Sequence, residues 1–245
     1  MEKILSTELL TKQYKDIKAV DSINININKG DIYGFIGRNG AGKTTTLKMI
    51  AGLANPTSGS FSLFGIPYEQ LISQKVFSNV GCLIESPGLY NDMSAFDNVY
   101  LKCILMGINN KDYAKDLLRL VDLDPNSRKK TRGFSLGMKQ RLGIAIALVG
   151  EPKLIILDEP TNGLDPQGIL EIREIILKLN REKEITFIIS SHILGELSKM
   201  ATRYGIIDNG KLIKELTAEE LNAQGDDLEE FYFSLTGGAS YAKSN

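Results

Sequence analysis

Cysteine is scarce in this chain: two residues, Cys82 and Cys103, stand in 245. They sit at neither a metal-ligand nor a CxxC spacing, which excludes a disulfide framework and a thiolate metal site and predicts reduced thiols in a cytosolic chain. An excess of either charge is missing too, since 29 Lys and Arg face 30 Asp and Glu for a formal charge of −1. The electrostatic footprint of a nucleic-acid-binding surface is therefore absent, and no nucleic-acid partner is expected. Long apolar runs are lacking as well. The longest near a motif, Ile144 to Val149, falls far short of the ~20 residues that a spanning helix needs. The opening MEKILSTELL has no basic segment followed by a continuous apolar one, so neither a leader nor a membrane span is expected there. Any membrane role is expected to come through a partner subunit. Internal repeats and low-complexity segments are not found.

What is present is ordinary globular material, 42% hydrophobic and 24% charged, which argues against disorder and fibrous repeats. The length suffices to bury a sizeable core. Ile23, Ile25 and Ile27 alternate in SINININ, and a turn at Lys29-Gly30 leads to the run IYGFIG; together they read as an antiparallel β start. From Lys43 the apolar spacing becomes helical through Leu47, Ile50 and Leu53, until NPTSG, Asn55 to Gly59, stops it. Between about Asp92 and Gly150 the segments AFDNVYLKCILM, YAKDLLRLVDL and MKQRLGIAIALV carry apolar residues at helical spacing, which predicts an inserted α-helical subdomain. KLIILDEP and EITFIISSH are nearly continuous apolar runs suited to parallel strands covered on both faces, with the helix pattern GILEIREIILKLN between them. Such βαβ alternation predicts a doubly wound core. Asn209-Gly210 between two apolar runs signals a hairpin, and an acidic stretch, Asp226 to Glu230, follows.

GRNGAGKT, Gly37 to Thr44, fits G-x-x-x-x-G-K-[ST] and lies after a strand and at the opening of a helix, where a phosphate-binding loop must lie. Gly40 and Gly42 let backbone amides turn inward on phosphate, beside Arg38, Asn39 and Ala41. Lys43 is placed to reach the β and γ phosphates and Thr44, ahead of Thr45, to ligate Mg²⁺. LIILDEP ends a strand in two carboxylates at the edge where open α/β sheets hold ligands. Asp158 is the candidate Mg²⁺ holder and Glu159 the candidate group that positions or deprotonates an attacking water; alone, such an Asp-Glu pair is more often a capping turn. His192, the one histidine, follows a second apolar strand, where its neutral imidazole suits a hydrogen bond to the γ-phosphate that reports its loss. NKGD, Asn28 to Asp31, imitates the guanine-reading pattern of GTPases but precedes the phosphate loop, and reads as a turn.

With these residues the chain, from about Leu9 to Leu216, resembles the nucleotide-binding subunit of an ATP-binding-cassette transporter. That family carries a signature segment, usually LSGGQ, ahead of the second carboxylate strand. Here FSLGM stands in its place, with Ser135 and Gly137 matching and Phe134, Leu136 and Met138 departing. The resemblance implies that Ser135 and Gly137 complete the ATP site of an opposite subunit, that Asp165 lies in the loop crossing that interface, and that Tyr14 stacks on adenine. It also implies that Glu85, in GCLIESPGLY, occupies the place where most relatives have a Mg²⁺-touching glutamine. LIESPGLY together with FSLGM is similar to the bacitracin-resistance and lantibiotic-immunity branch, in which glutamate takes that place, as metal ligand and catalytic participant.

The expected architecture is accordingly α/β: a P-loop NTPase core with a mixed sheet, an N-terminal antiparallel β subdomain and an inserted helical subdomain. Residues 1–220 are expected to form the ATPase domain, with the helical part at about 92–150, and 221–245 a tail. ATP and Mg²⁺ are the implied cofactors. An integral membrane permease and a second cassette, as homodimer or heterodimer, are the implied partners, with the chain cytoplasmic and peripheral on the inner face of the membrane. The implied role is ATP-driven export of an antimicrobial peptide or similar amphiphile. The rival is a soluble cassette that remodels ribosomes or DNA without transport; a regulator that does not hydrolyse is disfavoured by Glu159.

Overall fold

The computed structural model describes residues 2–225 and 227–237. The chain opens with Lys3–Tyr14 (β1), Ile17–Ile23 (β2), Asn26–Asn28 (β3), Ile32–Ile36 (β4), Lys43–Ile50 (α1), Ser58–Leu63 (β5), Ile66–Pro67 (β6) and Val80–Leu83 (β7). Helices Ala95–Leu105 (α2), Lys111–Leu120 (α3) and Leu136–Ala147 (α4) come next, then Leu154–Asp158 (β8), Pro166–Lys183 (α5), Thr186–Ser191 (β9) and Leu194–Leu197 (α6). Arg203–Asp208 (β10), Lys211–Thr217 (β11), Ala218–Gln224 (α7) and Leu228–Thr236 (α8) complete it.

Two sheets organise these elements. A five-stranded antiparallel sheet runs β2-β1-β5-β6, with β3 also on β1. A six-stranded sheet runs β11-β10-β4-β9-β8-β7 and is parallel except for the β10–β11 hairpin. Asn209 (φ 48°) and Gly210 (φ 77°) turn that hairpin, both left-handed as the twist of a two-residue hairpin loop requires. The α/β class with a mixed sheet is thus the one the sequence predicts.

One expectation is overturned. The runs at Ile23–Ile27 and Ile32–Ile36 do not form an antiparallel pair: β3 joins β1, whereas β4 lies in the other sheet, parallel to β9 and β10. The NKGD segment between them is the turn, with the Asn28 amide donating to Asp31 Oδ2 at 2.8 Å, and it redirects the chain from one sheet to the next. Strand β1 escapes the alternation rule because it bulges at Leu9 (φ 47°), where its pairing with β5 slips register. Gly59 lies against that bulge, and a Cβ there would come within 2.1 Å of the Leu9 carbonyl oxygen. Helix α1 ends at Ile50, one turn before the predicted apolar stripe does, and Leu53 is exposed.

Alternating residues of the central strands feed two cores. Ile155 and Leu157 of β8, with Phe187 and Ile189 of β9, pack with α2 to α5. Leu154, Ile156 and Ile188 pack instead with α1 and the antiparallel sheet. Residues 92–150 contain α2, α3 and α4, and their apolar side chains share the first of these cores. Within 221–245, α7 ends and α8 lies; Glu229 and Glu230 occupy the first turn of α8, favourably for its dipole. Asp226 and residues 238–245 lie outside the described residues. Cys82 and Cys103 are free thiols. Among the described residues no helix is long and apolar enough to cross a membrane.

A titratable carboxyl sits at the seam between the two sheets. Glu215 Oε1 accepts from the Asn26 amide at 3.0 Å and the Tyr33 hydroxyl at 3.1 Å, and burial pushes its carboxyl above the ordinary value of 4.5. A raised carboxyl favours the protonated folded state, so its contribution is full below that ordinary value and declines as pH climbs through the folded one. Glu215→Gln keeps an acceptor oxygen and does not titrate. Its melting temperature relative to wild type is expected to be higher at pH 8 than at pH 4, as thermal unfolding at the two pH values will read.

Candidate functional site

Strand β4 ends at Ile36 and α1 begins at Lys43, leaving the loop from Gly37 to Gly42 at the carboxyl edge of the central sheet. Neighbouring backbone dictates two of its glycines. A Cβ on Gly37 would approach the Ile207 carbonyl oxygen to 2.5 Å, and one on Gly42, at φ 109°, would approach that of Ala19 equally closely. The hairpin turn braces the loop, its Gly210 amide donating to the Ala41 carbonyl at 2.9 Å. The loop lines a cavity of about 200 Å³ from Arg38 to Thr45, Ala41 excepted, with Ala19 and Glu159 on its walls. That volume lies below the usual range for a whole small-molecule site, about 300–1,000 Å³. A larger cleft, about 560 Å³, opens elsewhere beside Lys29, Lys153 and Ile185 and contains none of the predicted site residues.

Strands β8 and β9 bring the carboxylates to this loop. Asp158 is buried and hydrogen-bonded on both oxygens: Thr44 Oγ1 donates to Oδ2 at 2.7 Å and Ser190 Oγ to Oδ1 at 2.5 Å. Glu159 follows with a left-handed backbone, φ 50°, and its amide is held by Ser190 Oγ at 2.9 Å. Its Oε2 meets His192 Nδ1 at 2.7 Å. Its Oε1 lies 3.2 Å from Lys43 Nζ, an ion contact that is not a hydrogen bond, and this oxygen accepts none among the described residues. Lys43 is buried and donates to the carbonyls of Gly37 (2.6 Å) and Arg38 (3.2 Å). Thus Lys43, Thr44, Asp158, Glu159 and His192 form one connected group.

The remaining predicted residues stand apart from it. Glu85 follows β7 with φ 65°, is largely exposed, and pairs with Lys48 Nζ at 2.6 Å. Tyr14 ends β1, half exposed, with Lys12 Nζ 5.0 Å from its ring centre. Ser135 caps α4, its Oγ accepting from the Met138 amide at 3.3 Å, and Asp165 caps α5, Oδ1 accepting from the Gly168 amide at 2.9 Å. Gly137 lies near Leu164. Neither Ser135, Gly137 nor Asp165 lines the loop cavity.

The donor set suits a hard cation. Thr44 Oγ1 and Asp158 Oδ2 are two oxygens already converged at 2.7 Å, and Mg²⁺ is usually held by one or two such ligands together with phosphate oxygens and waters. Among the described residues there is no cluster of three acidic, histidine or cysteine side chains of the kind a protein-only metal cage would need. Two contributors escaped the sequence reading, Ser190 and Lys48. A polar residue near the end of the otherwise apolar FIISSH run was the available signal for Ser190; nothing local marks Lys48. Ser190→Ala removes the donor to a buried carboxylate oxygen and is expected to cost about 1–3 kcal/mol, measured by urea unfolding of the nucleotide-free protein.

Comparisons with known proteins agree with this geometry. Residues 20–162 match the family model described as ABC transporter. The bacitracin transport ATP-binding protein BcrA of Bacillus licheniformis is 46% identical over 96% of this chain and 76% of its own length. The lantibiotic transport ATP-binding protein SrtF of Streptococcus pyogenes is 44% identical over 94% of this chain and 96% of its own. Among solved structures, cbiO1 of Clostridium perfringens, part of the ABC transporter complex cbiONQ, superposes with TM-score 0.81 at 28% identity, covering 97% of each chain. The dimeric cassette MJ0796 bound to ADP and Pi superposes with TM-score 0.79 at 25% identity, covering 88% of this chain and 99% of that one.

Proposed function

The chain belongs to the ABC transporter family as an ATP-binding, ATP-hydrolysing subunit, and from that premise we propose that it powers export of an antimicrobial peptide or related amphiphile through a separate permease. BcrA and SrtF, named for bacitracin and lantibiotic transport, support the cargo class. The sequence pairing of Glu85 with the FSLGM signature supports the same branch. The permease places this subunit on the cytoplasmic face of the membrane.

The observation that carries the reading is the Glu159 carboxylate, fixed by His192 through one oxygen while the other, beside the loop lysine, accepts no hydrogen bond among the described residues. Backbone amides at Gly40 and Gly42 bind the α and β phosphates, and the ammonium of Lys43 reaches the β and γ phosphates. Lys43 is then drawn off Glu159, and Oε1 takes up the attacking water as general base. His192, through Nε2, contacts the γ-phosphate and reports its departure. Thr44 and Asp158, with Glu85 in the loaded state, would hold Mg²⁺, which would supply neutralisation of the charge developing on the phosphates. Tyr14 stacks on adenine.

The small loop cavity supports a site completed by a second copy. Ser135 and Gly137 at the start of α4 supply amides to the γ-phosphate across the interface, with Asp165 beside them. ATP then acts as a ligand that favours the closed pair, and hydrolysis removes the contacts that favour it.

Glu159→Gln is expected to lower phosphate release by about 10²–10⁴-fold while preserving association of two copies in Mg-ATP, seen by size-exclusion chromatography. Unchanged turnover would overturn the assigned base. Membrane association is expected only when the permease is co-expressed, as fractionation will show; ATPase stimulation by nucleic acid would instead favour the soluble remodelling role.

A further inference from the structure

Thr44 and Lys48 stand four residues apart on α1 and therefore on one helix face. Thr44 Oγ1 reaches Asp158, and one turn further Lys48 Nζ reaches Glu85 Oε1 at 2.6 Å. A single helix thus holds both carboxylates that the reading above assigns to the metal, but through different chemistry.

The loop that carries Glu85 is fixed at its ends. Leu83 pairs with Leu157 in the sheet. Tyr90 exchanges hydrogen bonds with Asn98 of α2 at 2.8 and 3.2 Å and accepts from Thr131 Oγ1 at 3.0 Å. Between Glu85 and Leu89, the one hydrogen bond to another segment among the described residues is the Lys48–Glu85 pair. Glu85 moreover holds a left-handed backbone that non-glycine residues seldom adopt. The pair is about one-third exposed at Lys48 and two-thirds at Glu85, so a competing cation has access to it.

We propose that Lys48 is a positioning residue for hydrolysis: it holds the Glu85 carboxylate in the nucleotide-free protein, competes with Mg²⁺ for it, and so couples loading of the site to movement of the loop that leads to α2. The proposal rests on Glu85 as a metal ligand. By linkage, a ligand draws Glu85 only by as much as it outcompetes the resting pair. Removing Lys48 therefore loosens the loop without nucleotide and eases metal capture with it.

The chain has no tryptophan, so Ser86→Trp supplies a single emitter beside Glu85. In the nucleotide-free full-length protein, Lys48→Met is expected to lower its fluorescence anisotropy, Glu85→Gln to lower it equally, and the double variant no further, with Lys48→Arg restoring it. In ATPase assays without the reporter, Lys48→Met is expected to lower the Mg²⁺ concentration for half-maximal rate by about two- to fivefold, the span of an exposed ion pair, and to have no such effect in the Glu85→Gln background. Unchanged or additive anisotropy losses would overturn the latch. If Glu85→Gln leaves the Mg²⁺ dependence untouched, the ligand assignment of Glu85 fails; if it shifts that dependence while Lys48→Met does not, the competition fails and the assignment stands.

Discussion

The doubly hydrogen-bonded Asp158 carboxylate holds the site together. It ends β8, accepts from Thr44 at the first turn of α1, and accepts from Ser190 near the end of β9. A buried carboxylate is costly unless its lone pairs are filled, so these two hydroxyls are required by its presence as well as useful to it. Ser190 also holds the Glu159 amide, which fixes the left-handed backbone that turns Glu159 toward Lys43 and His192. One interaction thereby sets the distance between the phosphate loop and the acidic strand.

Much of the core was legible because its signals are local. The apolar runs of β8 and β9 reflect burial on both faces, and the glycines of the phosphate loop reflect backbone crowding against Ile207 and Ala19. Sheet membership was not legible. Alternation marks β3 and gives its facing, but nothing within Ser22–Ile36 states that β4 leaves for another sheet. A bulge hid β1 by shifting its inward positions by one residue. Ser190 and Lys48 act through partners 32 and 37 residues away, separations that periodicity cannot bridge.

Glu85 illustrates the same limit at a position the sequence singles out. Its charge in an otherwise uncharged stretch, and its resemblance to a branch carrying glutamate there, were readable from the sequence. Its partner was not, because the contact depends on the pairing of β7 with β8 and on the helical phase of α1. Ser135 caps α4, and neither it nor Gly137 lines the loop cavity. The helix start at Ser135 thus has a structural task within a single copy, its Oγ accepting from the Met138 amide.

The strict alternation of β8 between its two cores has a mechanical reading. Ile155 and Ile156 are adjacent in sequence and equally buried, yet one bears on the helical layer and the other on α1 and the antiparallel sheet. Neighbouring positions of one strand are therefore wired to opposite sides of the machine. Trimming one should soften the support of the signature helix, whereas trimming the next should soften the seat of the phosphate loop.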